Sequence, residues 1–569
     1  MNPNLQVLVE EIARVTKLPL EDVAASLSEP PNTELGDYAF PCFPLAKTWR
    51  KNPAQIATEI ASKLSETGDT IAGATATGPY VNIRLNRTEY LPSVLDRIRV
   101  EGERYGSRNV GGEKTVVIDY SSPNMAKPFH VGHLSSTIIG GSLAHLFAFD
   151  GWKTVRINHL GDWGTPVGQQ IVGFRRWGDE NQLEQHPIAH MVEVYQKFHA
   201  EREQHPELMD EAREWFRKLE DGDPEARSFW ERIRRHSIEE LERAYRRLGV
   251  EFDHYSGEAF YESMLSTTIE RVKATGITEI SDGALIVPLE AKGVSTPLIL
   301  VKRDGATIYA TRDIAAAIYR AETYRFDRCL YVVARDQELH FEQLFATLEL
   351  MGLPWADRMA HVKFGHVHGM STRKGGAILL DELLDRAVAK VREIIDANRE
   401  AMFSDLGDDE VGNVAEAVGV GAVIFGTLNR KRVRDIEFSW ENALTFNGET
   451  GPYVQYAHAR LCSILRKAGR PVPEHPDWSL LKHDAEWELV KELGRFPTAV
   501  ASAVDQYEPS FVVRYLLDLS QDFTRFYDQC RVLGDDEALT GTRLALVETV
   551  RQVLQTGLGL LCIRAPERM

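Results

Sequence analysis

Cysteine is scarce and scattered: Cys42, Cys329, Cys462, Cys530 and Cys562 never stand at the close paired spacing that a zinc site or a redox motif needs. They read as reduced thiols, and no zinc is expected. Low-complexity tracts and fixed-period repeats are also missing, which excludes a solenoid or a largely disordered chain. The opening MNPNLQVLVEEIARV lacks a basic region followed by an apolar core, and no later apolar run reads as long enough to span a bilayer. The expectation is therefore a cytoplasmic protein with no membrane partner. Positive charge is short as well: 66 Lys and Arg against 84 Asp and Glu leave a formal net charge of −18. A uniformly basic coat for nucleic acid is excluded, although local patches can hold phosphates on an acidic protein.

What is present is ordinary globular material, 43% hydrophobic and 26% charged over 569 residues, enough for roughly three or four domains. Residues 1–110 read as a small α/β domain: an amphipathic helix over Leu5, Leu8, Val9 and Ile12, the turn-rich EPPNTELGDYAFPC, a helix at NPAQIATEIASKL capped by Asn52, and the alternating strand PYVNIRLN. Residues 111–365 carry β-rich runs at TVVIDY, KTVRINH, CLYVVA and HVKFGHV with helices between them. That alternation predicts a doubly wound, Rossmann-like parallel sheet, interrupted at about 181–250 by a charged helical insertion. Residues 366–410 form a loop-bearing connection, and 411–569 read as a helix bundle. A glycine-rich stretch at 419–426 lacks the Gly-Lys-Ser/Thr ending of a phosphate loop and reads as close helix packing.

Two short segments carry chemistry. In PNMAKPFHVGHLSS, His130 and His133 flank Gly132 where a loop runs into a helix. Free backbone N–H groups at a helix start favour phosphate, two imidazoles beside them can bind charge developing on ATP, and Gly132 lets a base lie against the backbone. In GMSTRKGG at 369–376, Met370, Ser371, Thr372, Arg373 and Lys374 offer hydroxyls and cations between glycines. Alone, such a loop is equally an ordinary basic turn; its place after a predicted strand of the same sheet favours a phosphate site.

Together these segments resemble the two signatures of class I aminoacyl-tRNA synthetases. The flanking GDYAFPCFPLAK, SSPNMAKPFHVGHLSSTIIG, NHLGDWGTPVGQ, TIYATRDIAAA, TGPYVQYAHARL and final PERM resemble the arginyl-tRNA synthetase family over nearly the whole chain. The resemblance implies ATP-dependent activation of L-arginine to an adenylate and its transfer to the 3′ adenosine of tRNA-Arg, with Mg²⁺ arriving on ATP and the protein acting as a monomer. It implies a guanidinium site at Tyr309 and Asp313, with Glu258 of YSGE as second carboxylate, and an α-amino site at Ser122, Asn124 and Gln337. Acidic groups suit a planar cation with five donors. Read without the resemblance, Glu258 is more readily a surface or capping residue.

The resemblance further places Tyr80 and Asn82 of PYVN on the tRNA corner (D-loop), with 1–110 as the domain that binds it. It assigns 366–410 to the signature loop and stem contact. The anticodon falls to 411–569, through Tyr453, Tyr456, Arg460, Tyr527 and Met569, since aromatics and Arg stack on unpaired bases. Tyr456 reads equally as bundle core. One departure stands out: where the class usually has Lys-Met-Ser-Lys, this chain has Gly369, Met370, Ser371 and Thr372. Lys127, three residues before His130, is the expected substitute cation, with Arg373 and Lys374 as alternatives. Rival readings are a class I ligase for cysteine or glutamine, and a tRNA-binding paralogue without catalysis. The missing Cys cluster disfavours the cysteine enzyme; His130, His133 and Asp313 disfavour the paralogue.

Overall fold

The alternation of PYVNIRLN makes it the central strand of an antiparallel sheet, burying Val81 and Ile83. The computed structural model of the protein describes residues 3–64, 70–125, 129–368, 379–398, 407–437, 439, 444–445 and 448–569. In its N-terminal region β1 (Tyr38–Pro41), β2 (Ile71–Thr77) and β3 (Tyr80–Leu85) run in the order β1-β3-β2. PYVNIRLN alone reads as a strand from sequence; β1 hides in the turn-rich stretch because it is only four residues long, preceded by Gly36 and ending in Pro41. The helix Pro53–Leu64 packs on this sheet, its first turn capped by Asn52 Oδ1, which accepts from the Ala54 N–H at 2.9 Å.

The predicted parallel sheet is present. It contains β4 (Thr115–Asp119) and β5 (Lys153–Ile157), after which the chain leaves for helices from Thr165–Trp177 through Pro224–Leu248. A small antiparallel sheet follows, β6 (Glu279–Ser281), β7 (Ala284–Val287) and β8 (Leu298–Val301), which the sequence reading lacked. The helix Tyr309–Tyr324 then leads back to β9 (Arg328–Tyr331) and β10 (Met359–His361). Sheet order is β10-β9-β4-β5, every pair parallel. Val116, Val117 and Ile118 are wholly buried, as a strand covered on both faces requires. Because β5 lies on one side of β4 and β9 on the other, the order reverses between β4 and β9. In open α/β sheets the ligand crevice lies at the carboxyl ends of the strands at that reversal.

HVKFGHV, predicted as one strand, divides: its first residue ends β10, while Val367–His368 forms β11, parallel to β12 (Ile436–Glu437). C-terminal helices form the expected bundle, among them Asp408–Leu428, Gly451–Ala468, Asp484–Leu493, Ser510–Gln529 and Glu537–Leu560. Asp408–Leu428 corrects one expectation. Its 21 residues hold an 18-residue stretch of mean hydropathy 1.6, long and apolar enough by length and composition to cross a bilayer, although 78% of that stretch is buried inside the fold. Its glycines serve close approach: a Cβ at Gly419 would lie 2.8 Å from the Val388 backbone nitrogen. The N-terminal region docks on this bundle, Trp487 Nε1 donating to Asp37 and Trp478 Nε1 to Asp96, each at 2.7 Å.

Candidate active site and bundle cavity

Immediately after β4 the backbone takes two left-handed residues, Ser121 (φ 71°) and Ser122 (φ 47°). Such conformations in non-glycine residues persist only where the surroundings enforce them. Here the Ser121 N–H donates to Ser136 Oγ at 2.9 Å, and the Ser121 hydroxyl is held by Tyr245 at 2.8 Å and Thr137 at 2.9 Å. Ser122 Oγ donates to Asp119 Oδ1 at 3.1 Å. Asn124, exposed, bridges to Gly161 in the loop beyond β5. A Cβ on residue 161 would come within 2.0 Å of Asn124 Oδ1, so glycine there is what lets the amide occupy its place.

The His-x-Gly-His segment closes the same crevice. His130 Nδ1 accepts from the Gly132 N–H at 3.0 Å, and His133 Nδ1 accepts from the His130 N–H at 3.3 Å. An accepting Nδ1 is unprotonated, so each neutral ring carries its proton on Nε2. The rings sit 4.2 Å apart between centroids at the start of the helix Leu134–Phe149. A Cβ at Gly132 would stand 2.7 Å from His130 Cε1. Leu379, the first described residue past the second signature, pairs with His130 across an antiparallel bridge. Lys127, Met370, Ser371, Thr372, Arg373 and Lys374 lie outside the described residues.

Across the crevice, Glu258 opens a short helix whose turn is pinned by Asp162: its carboxylate accepts from the Ala259 N–H and from Arg234 Nε, both at 3.0 Å. Burial raises the Glu258 carboxyl above its ordinary value; nearby His159 and Arg312 oppose this, and Asp313 adds to it. Glu258 and Asp313 thus lie close enough for each charge to act on the other. Asp313 Oδ2 is held at 2.7 Å by His340 Nε2, whose ring meets Tyr309 edge-on at 4.9 Å between centroids. Tyr309 is 57% exposed at the rim. Gln337, exposed, ends the turn Arg335–Gln337 that follows β9.

A second concavity of about 890 Å³ opens in the bundle. Tyr456, Arg460, Tyr527 and Met569 all line it, with Arg466, Lys467, Arg531 and Arg568 beside them. The Arg460 guanidinium lies 3.9 Å from the Tyr527 ring centroid and 5.9 Å from that of Tyr456. The tail is strapped to the helix Gly451–Ala468 by Gln455 Nε2 on the Arg564 carbonyl (2.8 Å) and His458 Nδ1 on the Pro566 carbonyl (2.9 Å), which delivers Met569 to the cavity. Tyr453 is not brought to this cavity; its hydroxyl meets Thr524 Oγ1 at 3.2 Å against the core. In the N-terminal sheet Tyr80 is exposed and meets the exposed Phe43 edge-on at 5.7 Å. Asn82 is instead 4% exposed, with Nδ2 donating to Thr77 Oγ1 at 3.0 Å.

With this geometry in place, a family model for the tRNA synthetases class I (R) catalytic domain matches residues 94–440, more than half of the chain. The chain belongs to the arginyl-tRNA synthetase family. Models of the arginyl tRNA synthetase N-terminal domain and the DALR anticodon binding domain match residues 5–85 and 454–569. The chain is 45% identical over 544 residues to the arginine–tRNA ligase of Alkaliphilus metalliredigens, covering 95% of each. It is 44% identical over 560 residues to that of Clostridioides difficile, covering 98% of each. The arginyl-tRNA synthetase of Thermus thermophilus superposes with a TM-score of 0.83 over 99% of both chains at 26% identity. That of Plasmodium falciparum shows the same fold, with a TM-score of 0.81 over 99% of both at 24% identity. This synthetase is an ATP-using ligase that attaches arginine to tRNA-Arg for protein synthesis.

Several polar residues around the synthetase's crevice escaped the sequence reading. His159, Asp162 and Gly161 sit inside NHLGDWG, a motif quoted for resemblance but given no role. His340 and Arg320 carry no local signal beyond the spacing of Arg320, two helical turns after Asp313.

Proposed function

We propose that the crevice beyond β4 and β9 activates arginine, and that the bundle cavity and the β3 face hold tRNA. The single observation that carries this reading is convergence: the β4 loop, the His-x-Gly-His helix start and the Glu258 and Asp313 carboxylates come from distant segments to one switch point. Arginine's guanidinium sits between Glu258 and Asp313 against Tyr309, while Ser122, Asn124 and Gln337 hold its α-amino end. The arginine carboxylate attacks the α-phosphate of ATP, pyrophosphate leaves, and the tRNA 3′ adenosine then takes the arginyl group from the adenylate. His130 and His133 donate from Nε2 to the phosphates, and the residue 132 backbone carries the base. Lys127 or the 369–376 loop supplies the cation, with Mg²⁺ entering on ATP and no zinc required.

Under the same reading, residues 1–110 take the tRNA corner at Tyr80, 111–365 catalyse, 366–410 bear the second signature and 411–569 hold the anticodon on Tyr456, Arg460, Tyr527 and Met569. Asn82 and Tyr453 support these sites from behind rather than touching bases. The protein works as a cytoplasmic monomer. The test is a split in kinetic constants: Glu258→Gln and Asp313→Asn should raise the arginine KM and leave the tRNA KM within two-fold of wild type, by roughly the precision of such comparisons. Equal effects on both constants would disprove the separation of sites.

A further inference from the structure

Beneath the crevice lies a guanidinium that belongs to the protein. Arg320 is 0% exposed, two turns after Asp313 on the helix Tyr309–Tyr324. Its Nη2 reaches Asp119 Oδ2 at 2.8 Å and His159 Nδ1 at 3.3 Å, and its charge lies 5.2 Å from the Tyr331 ring centroid. His159 stacks in turn on Tyr261, 5.6 Å between centroids, in the helix that Glu258 opens. Arg320 thus meets the end of β4, the end of β9 and the loop after β5, and through His159 it backs the Glu258 helix.

Stability alone is a poor reason for this arrangement. A buried ion pair often contributes nothing net compared with apolar residues of similar volume, and here Nε and Nη1 find no hydrogen-bond partner among the described residues. What the pair does accomplish is orientation. Asp119 gives Oδ2 to Arg320 and Oδ1 to the Ser122 hydroxyl at 3.1 Å. Ser122 and Ser121 are the residues in left-handed conformation, which need an external hold.

We propose that Arg320 is a positioning residue for the amino-acid substrate: by fixing Asp119 and His159 it sets the Ser122 seat of the α-amino group and its distance from the Glu258 and Asp313 pair. The inference rests on the reading of this crevice as the arginine site. Removing Arg320 alone strands the buried Asp119 carboxylate, so the informative variant replaces both partners, Arg320→Met with Asp119→Leu. This pair should melt within a few degrees of wild type while its arginine KM rises about ten-fold or more, the size of a lost charge-assisted hydrogen bond. The KM values for ATP and tRNA should stay within about two-fold. A merely structural role would lower the active fraction, and with it the apparent kcat, without moving the arginine KM.

Arg320→Gln, which keeps one donor for Asp119, serves if the double variant does not fold, and Arg320→Lys should recover part of the loss. An unchanged arginine KM in the folded double variant, or in Arg320→Gln if the double does not fold, overturns the proposal. Ser122→Ala and Asp313→Ala separate the two levels. If they raise the arginine KM while the Arg320 variants do not, only the positioning role falls; if they too leave it unchanged, the assignment of the crevice falls.

Discussion

In the proposed function the crevice beyond β4 and the bundle cavity meet charged ligands by opposite means. On the proposed reading the crevice takes a small cation with few groups, each held from behind: Asp313 by His340, the Glu258 turn by Asp162, and Ser122 by Asp119, which Arg320 holds in turn. The cavity, about 890 Å³, offers a polyanion Arg460, Arg466, Lys467, Arg531 and Arg568 around two tyrosines on a chain whose net charge is −18. Selection of one amino acid calls for buried charge in rigid geometry; a flexible RNA loop calls for ring faces and distributed cations. Overall charge described neither site, because each depends on where a few residues are gathered.

The largest break in this comparison is expected from Asp313→Ala. It removes one carboxylate of the guanidinium site and strands His340, at a cost of roughly 2–5 kcal/mol in kcat/KM for arginine. Steady-state charging measures it, and a loss below about ten-fold would move guanidinium recognition elsewhere. Next, Lys127→Met should lower kcat on the order of 100-fold with the arginine KM little changed. If Lys374→Met is the damaging variant instead, the cation comes from the second signature. On the other side of the comparison, Tyr527→Ala and deletion of Met569 should each raise the tRNA KM about ten-fold, a base-stacking effect, and leave arginine and ATP constants alone. Unchanged tRNA constants for both would return these residues to the bundle core.

The smallest effect concerns pH. Burial raises the Glu258 carboxyl, so in the empty site its neutral form is favoured; the stability this gives is present at low pH and lost as pH rises through the raised value. Guanidinium needs the ionised form. Arginine affinity should therefore fall as pH drops through that value, by at most about ten-fold per pH unit, and Glu258→Gln should flatten the dependence. Arginine KM measured over a descending pH series at saturating ATP reads the slope, and identical slopes in both proteins would remove Glu258 from the site.

The parallel sheet was legible because β4, β5 and β9 are β-branched or apolar runs; His-x-Gly-His was legible where it follows β4, and TRD as a motif inside the helix that leads to β9. The bundle cavity was legible through Tyr456, Arg460, Tyr527 and Met569, which meet in space. Other features had no local trace. β1 is four residues inside a turn-rich stretch, and Asp408–Leu428 exceeds the expected apolar length because its glycines and alanines are packing surfaces. His159 and Arg320 act on each other across 161 positions, beyond any periodicity. Tyr453 and Asn82 match their motifs, but face of helix and pleat of strand turn them inward, toward Thr524 and Thr77.

On the proposed reading a pair of carboxylates, Glu258 and Asp313, selects the amino acid. Competitive charging of tRNA-Arg with arginine and lysine tests it most directly, in wild type and in a Glu258→Gln, Asp313→Asn double variant. A planar fork can engage both carboxylates where a compact ammonium engages one, so wild type should charge arginine with lysine near background, and the double variant should lose most of that preference. Undiminished preference for arginine in an active double variant would contradict the account.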